Sequence, residues 1–475
     1  MRAALHASPR QPARRRHAAH ALAALLAAGL LAAPPVEAQT RVVQLAGSKD
    51  TTYVLLDDGS VLGWGFHQHG QLGPAPNLSH GPNRAGPTAI ALPGRARQIA
   101  GGGDSGFALM EDGRLLAWGK GLALGTGGGA AAAAQAAATG VADARRTIDR
   151  AQTVANNAER ARRGDVGAAV AVLGGLFGGG SRAAASPPAA SAPAVQPPAD
   201  STAAVVVPLT GIRRIHAHGN LAIALMEDGT LRAWGTRASG RLGDSLANKR
   251  WGESSAPALS PVVVPGAERI VQVSIGGSHV LALREDGRIL SWGSNRYGQL
   301  GRQPVQETVL DTPALVEGID DAVLVSAGDF PVSMAVRRDG SLWVWGSRNM
   351  AQFGNGEADN GRYEWDVHPR IVPGVREPAQ VAVGGLNVVA RSAAGTLTGW
   401  GNTDWGNLGL GQKTGFVYAP RKIPLDQVTE VLVQYNQTYA LRRDGSLWYM
   451  GVGGGDRWQS ASSSNATPFA LSLRR

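Results

Sequence analysis

Along most of the chain, short apolar runs alternate with polar residues and are punctuated by glycine. The clearest run is Leu281-Ala282-Leu283-Arg284-Glu285-Asp286-Gly287-Arg288-Ile289-Leu290-Ser291-Trp292-Gly293. Aliphatic positions lead into a charged Asp-Gly pair and out again to Trp-Gly. The flanks suit strands. Asp286-Gly287 tolerates the positive φ that a tight turn needs, so the run predicts a β-hairpin. Six further copies end on Gly65, Gly119, Gly235, Gly346, Gly401 and Gly451. Their tryptophan column is Trp64, Trp118, Trp234, Trp292, Trp345 and Trp400, with Met450 in the last copy. The spacing is about 50–58 positions, with one gap about twice that, the mark of a propeller or solenoid.

Each period holds more than the hairpin. In the fourth, Ile270-Val271-Gln272-Val273 precedes it as a short strand, and Gly276-Gly277-Ser278-His279 forms a turn. After it come the loop Asn295-Arg296-Tyr297-Gly298-Gln299-Leu300-Gly301, a variable loop, and the strand Thr312-Pro313-Ala314-Leu315-Val316. Proline lacks a donor, which places that strand at a sheet edge. Four strands per period is the content of one blade. The order repeats from Val42-Val43-Gln44-Leu45 to Thr467-Pro468-Phe469-Ala470-Leu471. The expected fold is therefore all-β: seven blades closed into a β-propeller, which removes exposed sheet edges.

The stretch Gly276–Gly301, with its Gly-Gly-Ser-His, Asp-Gly and Ser-Trp-Gly-Ser-Asn-Arg-Tyr-Gly-Gln-Leu-Gly, resembles the repeat of the RCC1 (regulator of chromosome condensation) family. The resemblance covers about residues 41–125 and 204–475. WD repeats have Trp-Asp where this chain has Trp-Gly, and kelch repeats lack the Gly-Gln-Leu-Gly loop. The sialidase Asp box separates its Asp and Gly by one residue. The resemblance implies a seven-bladed propeller and, in general, protein binding. Some members resemble guanine-nucleotide exchange factors for small GTPases or chromatin binders, and secreted bacterial members include a β-lactamase inhibitor. No exchange-factor contact residue carries over to a position of this sequence.

Two segments depart from the repeat. Residues 1–38 read as a secretory signal peptide: Arg2, Arg10, Arg14, Arg15 and Arg16, an apolar core from Ala21 to Ala33, and Val36-Glu37-Ala38 as a cleavage site. Retention of this segment as an anchor is the alternative. The second repeat is interrupted by an Ala/Gly/Pro-rich insertion over 126–203, between propeller segments 39–125 and 204–475. Within it, Val141 to Arg163 predicts a helix, Val166 to Phe177 is a short apolar run, and Ser181 to Pro198 reads as an extended linker. The rest is expected to be disordered, and the apolar run is an alternative membrane contact.

Composition narrows the chemistry. The formal charge is +10, and loss of the leader removes five arginines and one glutamate. No block of Lys/Arg remains that would suit nucleic acid. There is no cysteine, which excludes thiolate metal sites and cysteine nucleophiles. His67/His69 and His216/His218 are His-x-His pairs without an evident third ligand. No phosphate loop or nucleophile–base set is present. The sequence thus predicts no catalytic residues, no metal, no cofactor, no nucleic-acid partner and no transmembrane segment after leader removal.

The variable loops carry aromatics and arginines that the repeat does not require. They are Trp251 with Lys249 and Arg250, Tyr363 and Trp365 with Arg362, Phe416 and Tyr418, and Trp458 with Arg457. Such residues are the usual anchors of interfaces, and symmetry places the loops on one face. Trp405 aligns with Tyr297 and belongs to the template instead. The expectation is a monomeric, secreted or periplasmic, non-enzymatic propeller that binds a protein partner through this face. An envelope carbohydrate-binding module and an exchange factor-like regulator delivered to a host cell are the alternatives.

Overall fold

The computed structural model describes residues 40–48, 51–74, 84–126, 200–246, 256–303, 309–358, 364–413, 415–452 and 464–471. The leader and the helix, apolar run and linker expected inside 127–199 lie outside the described residues. In the compact unit Arg41–Arg475, seven four-stranded antiparallel sheets form, each from consecutive strands. They occupy 42–89, 96–207, 212–263, 270–315, 322–376, 378–423 and 428–471, and are called blades one to seven. The first strands of successive blades touch one another, and that of blade seven touches that of blade one. The sheets therefore surround a common axis as a seven-bladed propeller. No α-helix occurs among the described residues, only three short 3-10 turns.

Blade four shows the design. Its strands are β1 (Ile270–Ile275), β2 (His279–Arg284), β3 (Ile289–Ser294) and β4 (Val309–Leu315). The expected hairpin is present, and its turn uses the glycine's freedom alone. Only Gly287 takes positive φ (83°), while Asp286 does not. Gly287 N donates to Arg284 O and Arg284 N to Arg288 O, so the loop is a type I turn closed by a left-handed glycine. The aspartate contributes through its side chain: Asp286 Oδ1 accepts Arg288 N at 3.2 Å. The same bond recurs at Asp58, Asp112, Asp228, Asp339 and Asp444. Blade six has Ala394 there, and Ser392 Oγ takes the amide of Thr396 instead.

The tryptophan column is the seam between blades. All six indoles are buried, at most 1% exposed, and Met450 is fully covered. Each packs against an apolar residue on the second strand of the preceding blade. Tyr53 meets Trp118 edge-on at 5.7 Å, Phe107 meets Trp234 at 6.2 Å, and Tyr439 meets Trp64 at 5.9 Å. Leu281 and Met334 share clusters with Trp345 and Trp400. In five of the six the indole N–H then donates to a backbone carbonyl in the preceding blade's Gly-Gln-Leu-Gly loop, whereas Trp64 donates to the Tyr439 hydroxyl at 3.4 Å. Trp118 reaches Gln71 O (2.7 Å), Trp234 Ala123 O (2.9 Å) and Trp292 Arg241 O (2.8 Å). Trp345 reaches Gln299 O (3.0 Å) and Trp400 Gln352 O (2.8 Å). A buried indole N–H needs such a partner. In blades two to five the loop's last glycine lies over the ring: a Cβ on Gly125 would sit 2.6 Å from Trp234 Nε1. Where Met450 replaces tryptophan, Thr438 Oγ1 donates to the equivalent carbonyl, Asn407 O, at 2.7 Å.

Trp345→Ala is expected to destabilise the fold by about 3–5 kcal/mol through the large cavity it leaves, while Gln299 O keeps the hydrogen bond from Ser333 Oγ. Trp345→Phe keeps most of the packing but loses the bond, and should cost less. Guanidinium unfolding followed by circular dichroism measures both.

Candidate functional site

Register fixes which loops share a face. His279 lies opposite Gly293, and Ser294 opposite Val309. The turn between first and second strands, the Gly-Gln-Leu-Gly loop and the start of the fourth strand therefore lie at one end of the blade. The Asp-Gly hairpin lies at the other. The pairs Ser347–Trp365 and Asn402–Phe416 repeat that register. The strand ends that bound the variable loops thus lie at one face, around the inner turns.

Of the predicted contact residues, Trp365, Phe416 and Tyr418 are described; Trp251, Arg250, Tyr363, Arg362, Trp458 and Arg457 lie outside the described residues. The three described ones are not in loops, as the sequence suggested. They open the fourth strands Trp365–Arg376 and Phe416–Ile423, because those strands extend further towards the loop face than the proline marks indicated. Trp365 is 43% exposed and Phe416 38%. Trp365 meets Tyr297 of the preceding blade edge-to-face at 6.3 Å, and the Arg296 guanidinium lies over the Tyr297 ring at 5.7 Å. Phe416 and Tyr418, two residues apart and so on one side of their strand, hold their rings 5.8 Å apart.

Three further aromatics lie at this face outside the predicted set, Tyr297 half-buried and two exposed. Tyr297 joins Trp365, and Trp405 at the same template position is 38% exposed. Tyr435 is 46% exposed on the inner turn of blade seven. It stands where blade four has Gly277, and its ring lies against Gly385 of the preceding blade. A side chain where the repeat carries glycine is the signal that would have found it.

The His-x-His pairs are divided among other tasks. His69 Nδ1 pairs with Asp200 Oδ2 at 2.9 Å across blades one and two, the place Tyr297–Trp365 takes between blades four and five. His67 Nδ1 accepts the amide of Leu72 at 3.4 Å. His218 Nε2 pairs with Asp329 Oδ1 at 3.0 Å over the inner turns. Among the described residues no three His, Cys, Asp or Glu side chains gather as a metal site.

Beside that ion pair sit two buried groups. Arg241 replaces the template glutamine, and its Nη1 donates to Gly276 O at 3.0 Å. Burial pushes its pKa down to about 10, against the pull of Asp329. His279 is fully buried, with Nε2 2.8 Å from Ser333 Oγ. Burial first, then the Arg241 and His218 charges, push its pKa down from 6.5 to about 3. The unfolded imidazole is protonated below about 6.5 and the folded one only near 3, so the unfolded state binds more protons between them. Stability therefore rises with pH across that window and is lost as pH falls through it. His279→Asn, which introduces the residue blade six carries there, should reduce the proton uptake on acid unfolding by about one. Urea titrations at pH 4 to 7 measure that slope.

The comparisons follow this geometry. Models of the regulator of chromosome condensation (RCC1) repeat match residues 58–109, 270–299 and 286–332. The human E3 ubiquitin-protein ligase HERC2 is 30% identical over 213 residues, 43% of this chain and 4% of that protein. The mitochondrial RCC1 domain-containing protein RUG3 of Arabidopsis thaliana is 33% identical over 154 residues, 32% of each chain. The chain thus spans a third or less of these two relatives. Among solved structures, Prp20p of Saccharomyces cerevisiae, described with its binding to Gsp1p and histones, gives a TM-score of 0.59 at 19% identity over 85% of this chain and 82% of that one. Human WBSCR16 gives 0.60 at 16% identity over 86% and 88%. The chain thus carries stretches that match the RCC1 repeat, set in a seven-bladed β-propeller.

Proposed function

We propose that this chain is a non-enzymatic binding propeller, exported by way of residues 1–38, that holds a protein partner on its loop-rich face. The observation that carries the reading is the Trp365–Tyr297–Arg296 group. Trp365 lies outside the repeat template, remains 43% exposed, and is fixed in place by a neighbouring blade with a guanidinium beside it. Rigid aromatics flanked by arginine are the side chains that dominate protein interfaces. Phe416 and Tyr418 extend the surface onto blade six, whose outer strand touches that of blade five. Edge-to-face rings offer a sugar no single flat platform, which favours a protein over a glycan. The protein-binding described for Prp20p supports the reading at the level of the fold.

Affinity capture from the native envelope tests it. The Tyr297→Ala/Trp365→Ala/Phe416→Ala variant should retain at least about tenfold less partner than wild type, with an unchanged melting temperature. Arg114→Ala and Arg288→Ala, on the hairpin face, should retain it fully. Equal recovery by the triple variant removes the face assignment, and recovery of polysaccharide alone favours the glycan-binding alternative.

A further inference from the structure

The inner strands of neighbouring blades are joined by a repeated side-chain clamp. Gln44 Oε1 accepts Ile99 N (2.9 Å) while its Nε2 donates to Ile99 O (3.0 Å). Gln98 does the same to Ile215, at 3.0 and 2.8 Å. Gln272 clamps Val325 at 3.1 Å on both sides, and Gln380 clamps Val431 at 3.0 and 2.7 Å. In a strand, the N–H and C=O of one residue point to the same edge, so a primary amide satisfies both at once. The clamp therefore needs one donor and one acceptor on the same side chain.

At the seam between blades seven and one, that position is Glu430. Leu45 N donates to its Oε2 at 2.9 Å, as the amides of Ile99, Ile215, Val325 and Val431 do to glutamine. The other half of the clamp requires a hydrogen facing the Leu45 carbonyl, and a carboxyl has one only when protonated. No strand passes between these two blades, since each sheet is filled from its own segment. Among the described residues the hydrogen bonds that close the ring here run through side chains: Glu430 to the Leu45 amide, Gln434 to Thr51 and Thr52, and Trp64 to Tyr439.

We infer that Glu430 is a proton-operated latch on ring closure, complete as a carboxylic acid and half-made as a carboxylate. Burial raises its pKa from 4.5 to about 7, against the Leu45 hydrogen bond and the Arg391 charge. Arg391, on the second strand of blade six, faces it while donating to Gln380 Oε1 and Ser392 O. Arg442, on the neighbouring strand of blade seven, is engaged by Asp444, Gln427 and the Asp426 carbonyl. The first strands of blades one and six carry no ionisable side chain, and Arg41 beside the former packs over Gly445. The sign is the reverse of the histidine's. The folded state holds this proton up to about pH 7 and the unfolded state only up to about 4.5. The folded state binds more protons in between, and the latch weakens as pH rises through the window.

Hydrogen–deuterium exchange of the intact chain from pH 5.5 to 8.5 tests the latch. The amide of Leu45 is compared with those of Ile99, Ile215, Val325 and Val431, whose glutamine clamps correct for the intrinsic pH dependence of exchange. Relative protection at Leu45 should fall about tenfold or more across the range. Glu430→Gln should hold it constant, and Gln272→Glu should transfer the fall to Val325. A constant ratio in the wild type, a fall that persists in Glu430→Gln, or an unaltered Val325 in Gln272→Glu each overturns the inference.

Discussion

The structure depends on one hydrogen bond made over and over: a buried indole N–H given to a backbone carbonyl of the blade before it. Hydrophobic burial alone would let neighbouring sheets slide, because it has no direction. The indole bond has both length and direction, and an indole left without it would hold an unsatisfied donor in the core. It therefore fixes the height and angle of five blades against the one before, and Tyr439 Oη and Thr438 Oγ1 take over the task at the other two seams. The Gly-Gln-Leu-Gly loop is shaped by this demand. Its leucine fills the core, its glycine clears the ring, and its carbonyl waits for the N–H. Loops that must satisfy a neighbour cannot vary; the stretch that follows each of them is free to.

That division explains why aromatics collect at one face. A propeller exposes two rims. On one, tight hairpins are closed by their own aspartates and have little to offer a partner. On the other, inner turns, seam loops and outer-strand starts crowd together, and every blade touches the next. A side chain added there is steadied by two blades at once, as Trp365 is by Tyr297. Ordering such a residue on binding costs little entropy, since it is already held.

Most of the fold was legible in the sequence because the repeat states it seven times. Period, strand count and the tryptophan column all follow from spacing, and the blade boundaries fall near the expected residues. What was not legible depends on partners distant along the chain. The hairpin type turns on φ at Asp286, which Asp-Gly alone does not decide. Trp365 and Phe416 read as loop residues because the proline marking each outer strand lies several residues further on. The outer strand of blade two starts at Ser201, inside the stretch assigned to the insertion, since Ser-Thr-Ala-Ala has no strong strand pattern of its own. Tyr297 looked like template, and its contact with Trp365 became visible only with blade five beside it. Glu430 is the sharpest case: in sequence it is one acidic residue among many, and its role appears only when four glutamines are seen doing the same work.

The filling of each sheet from its own segment has a consequence for how the molecule is made. Many closed rings are zipped shut by a strand borrowed from the opposite terminus, so their first sheet stays incomplete until synthesis ends. Here the opening sheet holds all four of its strands by Ala89. Each wedge can be finished as it leaves the ribosome, without waiting for a strand from the far end of the chain. The one event deferred to the end is the meeting of the two terminal wedges, a docking of finished surfaces in place of a pairing of strands.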